Sequence, residues 1–244
     1  RQMCIRDSAI TDDGQYHAWT EINVPQRPFE IENVDTVTVP LAQSGYTTEY
    51  LRYRITINDR PNETNYYRIV IDKQTTLWGY NHEEGGDDYI YWTKHSYNFI
   101  GREDVVLTDG QPTTGDDEDN GLFDTAKNIY GVFDDTRFRN TSYTMTVYNN
   151  TKIETGSDSG YFSGMDVIIR LMSITETEYY YLKALNLVDS DAYDETINEP
   201  IKYPSNVHGG TGMVGISTEV TQTIHIISSS HSKGNLAPPV HVYQ

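Results

Sequence analysis

The stretch Leu51-Arg52-Tyr53-Arg54-Ile55-Thr56-Ile57-Asn58, followed after Asp59-Arg60-Pro61-Asn62-Glu63 by Tyr66-Tyr67-Arg68-Ile69-Val70-Ile71, decides the fold class. Leu51, Tyr53, Ile55 and Ile57 recur at period two, with Arg52, Arg54, Thr56 and Asn58 between them. Side chains alternate across a strand, so this spacing gives one apolar and one polar face. Tyr67, Ile69 and Ile71 repeat the pattern beyond the turn-forming residues. The two runs read as a β-hairpin.

Working outward, Val34 to Val39 alternates in the same way. Tyr143 to Tyr148, Asp166 to Ser173 and Val220 to Ile227 read as further strands, with Val167, Ile169 and Leu171 on one face. The middle, Trp78 to Phe138, is polar and weakly periodic; Tyr89 to Trp92 and Asp104 to Leu107 read as short strands there. One helix is expected near 175–188. Thr175-Glu176-Thr177-Glu178 has the spacing of a capping box, Ile174 is placed to staple onto Tyr179, and Tyr181, Leu185 and Val188 form its expected buried stripe. The class is mainly β. Residues 9–29, with Pro25 and Pro28, read as a linker or lead-in strand, 30–227 as one β-rich domain, and 228–244 as a flexible tail. There is no internal repeat.

The chain has 244 residues, enough for a core, and 20 tyrosines within a 12% aromatic fraction favour strands over disorder. A formal charge of −18 argues against nucleic acid and anionic membranes, since like charges repel and no counterions are released. No apolar run is long enough to span a bilayer. Arg1-Gln2-Met3-Cys4-Ile5-Arg6-Asp7-Ser8 resembles translated sequencing adapter, and residues 1–8 read as an artefact rather than as part of the fold. It holds the only cysteine, Cys4, which no apolar signal segment precedes and no supporting group activates.

Motifs that carry chemistry are weak. Gly210-Thr211-Gly212-Met213-Val214-Gly215 matches a dinucleotide fingerprint, but Pro200, Pro204 and Asn206 precede it and a β-like run follows, so a glycine-rich turn is the better account. Asp116, Glu118 and Asn120 before Gly121 mimic the opening of a calcium loop, yet the twelfth position is Lys127 rather than a bidentate Glu. No cofactor is expected apart from calcium at that loop. Asp87-Asp88 and Asp134-Asp135 read as solvated turns. With 36 acids, paired carboxylates arise by chance, and the seven histidines lack metal spacing; His225 reads as surface or interface packing. No catalytic residue is expected. Trp78, Tyr89, Tyr91 and Trp92 suit core packing or, on an exposed face, stacking on a sugar or peptide.

Several segments resemble a family of Bacteroidota outer-membrane lipoproteins, the domain of unknown function DUF4249. They are Asn65-Tyr66-Tyr67-Arg68-Ile69, Val132-Phe133-Asp134-Asp135 before Phe138, Ile174 through Leu182, and Pro204-Ser205-Asn206-Val207-His208-Gly209-Gly210-Thr211-Gly212. The resemblance spans Val39 to Ser217. It implies an antiparallel β-sandwich or barrel-like domain, preceded in the family by a signal peptide, a lipidated cysteine and an immunoglobulin-like domain. It also implies an outer-membrane, cell-surface location and a role beside TonB-dependent transporters, with no catalytic residues to carry over. Asp35-Thr36-Val37 and Asp124-Thr125-Ala126 look like the O-glycosylation signal of that phylum. The expectation is therefore a non-enzymatic surface lipoprotein domain, accessory to an outer-membrane transporter. The alternative is a carbohydrate-binding module using the exposed aromatics on a surface glycan.

Overall fold

The computed structural model describes residues 3–43, 46–81, 88–97, 99, 101, 104–110, 128–150, 161–189 and 200–226. In chain order the strands are β1 (Cys4–Ile10), β2 (His17–Asn23), β3 (Asn33–Gln43), β4 (Tyr46–Asn58), β5 (Tyr66–Asn81), β6 (Asp88–Ser96), β7 (Val132–Asp134), β8 (Ser142–Asn150) and β9 (Tyr161–Ile174). The helix α1 (Glu176–Val188) and the strand β10 (Thr218–Ile226) follow. All the pairings are antiparallel. One sheet runs β10-β9-β5-β6, with β7 beside the start of β5; a second runs β3-β4-β8; β1 and β2 form a separate ribbon.

The alternation read from the sequence is the packing code of the core. Tyr53, Ile55 and Ile57 of β4 and Met145 and Val147 of β8 meet Tyr67, Ile69 and Ile71 of β5 and Val167, Ile169 and Leu171 of β9 in a single buried cluster. The two sheets face one another as a sandwich, without closing into a barrel. This corrects the hairpin expected over 51–71. The strands β4 and β5 are not ladder partners; β4 lies between β3 and β8, and β5 between β9 and β6. Each carries a run of apolar residues on one face, Leu51 to Ile57 on β4 and Tyr67 to Ile71 on β5, and burying two such runs is met by opposing them across a core.

The crossing between sheets is a polar corner. Asp59, 6% exposed, accepts from the Tyr67 hydroxyl at 3.1 Å, the Asn65 amide at 3.2 Å and the backbone N–H of Asn140 at 2.8 Å. Asp135, with no exposed surface, accepts from Asn65 through both its backbone N–H, at 2.9 Å, and its side-chain amide, at 3.1 Å. Arg139 donates to the other Asp135 oxygen at 3.0 Å. Asp134 accepts from Tyr179, so only part of the expected solvated turn survives: Asp135 is a buried structural acid. At the far end of the sandwich the buried Lys73 donates to the carbonyl of Asn150 at 2.9 Å, linking β5 to the end of β8.

The segment 104–110 is a turn, not the strand expected from Asp104 to Leu107. The buried Asp104 carboxylate explains the difference. It accepts from the backbone N–H groups of Val106, Leu107 and Thr146 and from the Tyr143 hydroxyl, which fastens the turn to β8. At Gly131 the chain runs so close to β5 that a Cβ would sit 2.3 Å from the Ile69 carbonyl oxygen, at a φ of +64° that glycine tolerates.

The helix starts where the capping residues place it. The Thr175 hydroxyl accepts from the Glu178 N–H at 3.2 Å, and Ile174 and Tyr179 share one apolar cluster with Val132 and Leu182. The reciprocal half of the box is not made. The Glu178 carboxylate lies against Gly215 and Ile216, where burial pushes its pKa up, against the opposing effects of the Arg68 charge and the Ile216 N–H. The buried face is also offset from the expected stripe: Tyr179, Leu182, Ala184 and Asn186 are buried, whereas Tyr181, Leu185 and Val188 are only half-buried. Asn186 sets this rotation. Its amide bonds the Asn128 side chain and the N–H of Tyr130, docking the helix beside β7.

Replacing Asn65 by Leu should lower stability by about 1–3 kcal/mol in urea unfolding, because two buried carboxylates lose donors at once; a loss below about 0.5 kcal/mol, the range of ordinary surface changes, would remove the corner's importance. Burial first, and then neighbouring carboxylates, push the hydroxyls of Tyr67, Tyr143 and Tyr179 well above the usual tyrosine range. A raised acid holds its proton in the folded state, so its contribution is intact below about pH 10 and is lost as the pH climbs through the folded value. Near-ultraviolet absorbance should therefore show a class of tyrosines that ionises only together with alkaline unfolding. Ionisation of every tyrosine in one early step, with structure retained, would contradict this.

Candidate functional site

The inner faces of both sheets are spent on the core, and α1 covers the Tyr66 and Met172 end of the outer face of β10-β9-β5-β6; the remainder of that outer face carries a row of polar side chains. Its register lines up four residues across the sheet: His225 is opposite Asp166, Asp166 opposite Gln74, and Gln74 opposite His95. At one end His225 Nδ1 lies 2.7 Å from Asp166 Oδ1, on an exposed strand surface as its sequence position suggested. The other end is more built. Asp72, two residues before Gln74 on the same face, is 2% exposed although it points away from the core. Its carboxylate accepts from Gln74 Nε2 at 2.7 Å and holds His95 Nδ1 at 3.0 and 3.2 Å. A carboxylate at Nδ1 makes that nitrogen the proton carrier and leaves Nε2 as an acceptor on a side chain that is 43% exposed.

Aromatic rings flank this pair. Tyr91, 49% exposed, is four residues before His95 on β6, and Tyr97, 57% exposed, follows directly after the strand. The Tyr97 ring stacks beside the His95 ring at a centroid distance of 6.1 Å, and its hydroxyl lies 3.5 Å from His95 Nδ1. Of the aromatic residues singled out in the sequence, the register pairs Trp78 with Tyr91. Tyr91 therefore falls on the outer face, and the side chains of Trp78 and Tyr89 lie outside the described residues. Trp92 pairs with the buried Leu77 and belongs to the inner face, so the four are not brought together as one set.

Other sequence candidates resolve differently. Asp116, Glu118 and Asn120 lie outside the described residues, as do Asp124-Thr125-Ala126 and the tail. Among the described residues no group of three or more His, Cys, Asp or Glu side chains is arranged to hold a metal. The Thr36 hydroxyl oxygen is buried without a partner among the described residues, which disfavours it as a modification acceptor. The glycine-rich block is followed by extended chain rather than a helix. It is pinned to the ribbon by paired backbone bonds between His208 and Trp19, whose rings stack at 4.2 Å, and by Thr20 donating to the Asn206 carbonyl. Gly209, at a φ of +76°, lets the loop touch the His17 carbonyl, where a Cβ would lie 2.2 Å away. This is a structural clasp with no anion site at a helix N-terminus. A groove of about 390 Å³ between α1 and the 104–110 turn is bridged at its rim by the Lys183–Asp109 ion pair.

Asp72, Gln74, His95 and Tyr97 were not found from the sequence. The signal lay in the outward half of the alternation, Asp72-x-Gln74 and Tyr91-x-Thr93-x-His95-x-Tyr97, which puts polar and aromatic residues where a plain solvent face needs only charge.

The fold and this surface define an acidic, two-sheet antiparallel sandwich with a polar, aromatic-flanked outer face. The family model described as Domain of unknown function (DUF4249) matches residues 5–223, and the chain belongs to that family. The match takes in the β1–β2 ribbon and begins within the stretch that resembles adapter sequence. No curated protein matches the chain.

Nitrogen-15 correlation spectra should find the proton of neutral His95 on Nδ1. A proton on Nε2 would mean that Asp72 does not orient the ring.

Proposed function

We propose that this chain is a non-enzymatic recognition domain of a cell-surface lipoprotein that works beside an outer-membrane, TonB-dependent transport system. The observation that carries the reading is the outer face of the four-stranded sheet. It holds Tyr91, Thr93 and His95 on one strand and Tyr97 directly after it, with a buried carboxylate beneath, and none of these is needed for the core. Rigid sheets that present such side chains are binding scaffolds. By contrast, the buried acids Asp59 and Asp135 share the Asn65 amide within a packed corner rather than flanking a cleft, which weighs against a carboxylate hydrolase. The formal charge of −18 suits an exported surface and repels anionic lipid, so membrane association falls to a lipid anchor.

A second reading, carbohydrate binding, is favoured by one specific feature: the exposed rings of Tyr91 and Tyr97 flank the paired His95 and Asp72. The two readings are compatible, because a transport accessory can capture a glycan.

Fractionation of cells that carry the full-length gene tests the main reading. The protein should sediment with outer membrane, be shaved from intact cells by added protease, and cross-link to a transporter. Recovery from the cytosol, protected from protease, would overturn it.

A further inference from the structure

We infer that the β5–β6 end of the outer face is a binding subsite for a neutral, chain-like glycan. In it Tyr91 and Tyr97 supply stacking faces, His95 and Gln74 bond sugar hydroxyls, and Asp72 acts as the positioning residue. This rests on the carbohydrate reading above and names its site and ligand class.

Four observations converge. First, Asp72 is a carboxylate with only 2% of its surface exposed, on the side of the sheet that faces away from the core. Burying a charge there is unfavourable unless it is fully bonded, and its partners are Gln74 and His95, two side chains that reach the surface. The arrangement fixes an amide and an imidazole in one orientation each, which cuts the entropy lost when they bond a ligand. Second, with Nδ1 committed to Asp72, the His95 Nε2 is left as an acceptor, while the Gln74 carbonyl and the Thr93 hydroxyl add further acceptor and donor capacity. Hydroxyl groups both donate and accept, so a polyol matches this set. Third, Tyr91 and Tyr97 are six residues apart along the chain, roughly 20 Å in extended backbone. That span exceeds a single sugar ring and suits an oligosaccharide lying along β6. Fourth, the net charge of −18, with Asp166 on the same face, repels uronates and sulfated chains. The ligand is therefore neutral.

The test is an NMR titration of the intact, isotope-labelled chain with xylohexaose, cellohexaose, mannohexaose and, as the anionic arm, hexagalacturonate. At least one neutral hexasaccharide should shift the amides of Gln74 and of residues 91–97. Tyr91→Ala, Tyr97→Ala and His95→Ala should each weaken binding about tenfold, the loss of an interface anchor, with the unfolding midpoint unchanged. Tyr91→Phe should retain affinity, since stacking needs the ring and not the hydroxyl. Asp72→Asn should weaken binding while restoring the Nε2-protonated form of His95, a change that a merely structural role would not couple to affinity. Silence with all three neutral probes, binding of hexagalacturonate alone, or shifts confined to another surface would each overturn the inference. None of these outcomes touches the cell-fractionation result, so failure of the glycan site and failure of the surface-lipoprotein reading are separable.

Discussion

Between Asn58 and Tyr66 the chain has to leave one sheet and enter the other, and everything else in the fold depends on how that corner is held. Apolar burial is the larger driving force, since each Ile or Val taken from water contributes roughly 1.5–3 kcal/mol. Burial is non-directional, however, and the apolar faces of β4 and β5 could be hidden in more than one way. The corner selects among them. Asp59 and Asp135 are buried and so must be bonded, and the four residues that satisfy them come from two stretches of chain: Asn65 and Tyr67 at the start of β5, and Arg139 and Asn140 in the connection between β7 and β8. The long-range bonds among them, Asn65 to Asp135 and Asn140 to Asp59, tie the corner to the connection between β7 and β8. Unsatisfied, the same acids would each oppose folding.

The corner is one case of a recurring device. Tyr67 donates to Asp59, Tyr143 to Asp104, Tyr179 to Asp134, Tyr66 to Glu176 and Tyr130 to Asp189. A tyrosine has an apolar body for packing and a hydroxyl for bonding, so each pair fills a layer of the sandwich margin and neutralises part of an acid's need for partners. The unusual composition, rich in both tyrosine and carboxylate, thus has a structural outlet that is independent of any ligand. The β5–β6 outer face differs in joining a buried carboxylate, Asp72, to side chains that reach the surface.

Much of the fold was legible because strand alternation is a local signal. Leu51 to Ile57, Tyr67 to Ile71 and Val167 to Leu171 all face the core as their spacing requires. Which strands pair is a non-local matter, and there the hairpin reading failed: a turn-rich segment between two alternating runs fits a corner as well as a hairpin. The helix start was equally local, fixed by Thr175 and Ile174. Its buried face was not, because Asn186 docks on Asn128 and rotates the helix away from Tyr181, Leu185 and Val188. Asp104 and Asp135 were misread for a related reason, since a carboxylate that collects backbone N–H groups from distant segments looks like a surface acid in sequence. At the candidate site, Tyr91 was legible as an aromatic in a strand. The value of His95 was not, because it depends on Asp72, which is adjacent only through the β5–β6 register.

The claim that the corner organises the sandwich is tested most directly by native-state hydrogen exchange at its own amides. The N–H of Asn65 bonds Asp135, the N–H of Asn140 bonds Asp59, and the N–H of Asp135 bonds the Asn65 carbonyl. If these bonds hold the two sheets in place, all three amides should exchange only through global unfolding, with the same opening free energy as the central amides of β5 and β9. Exchange at loop-like rates while β5 and β9 stay protected would mean that the sheets keep their packing without the corner, and would contradict the account.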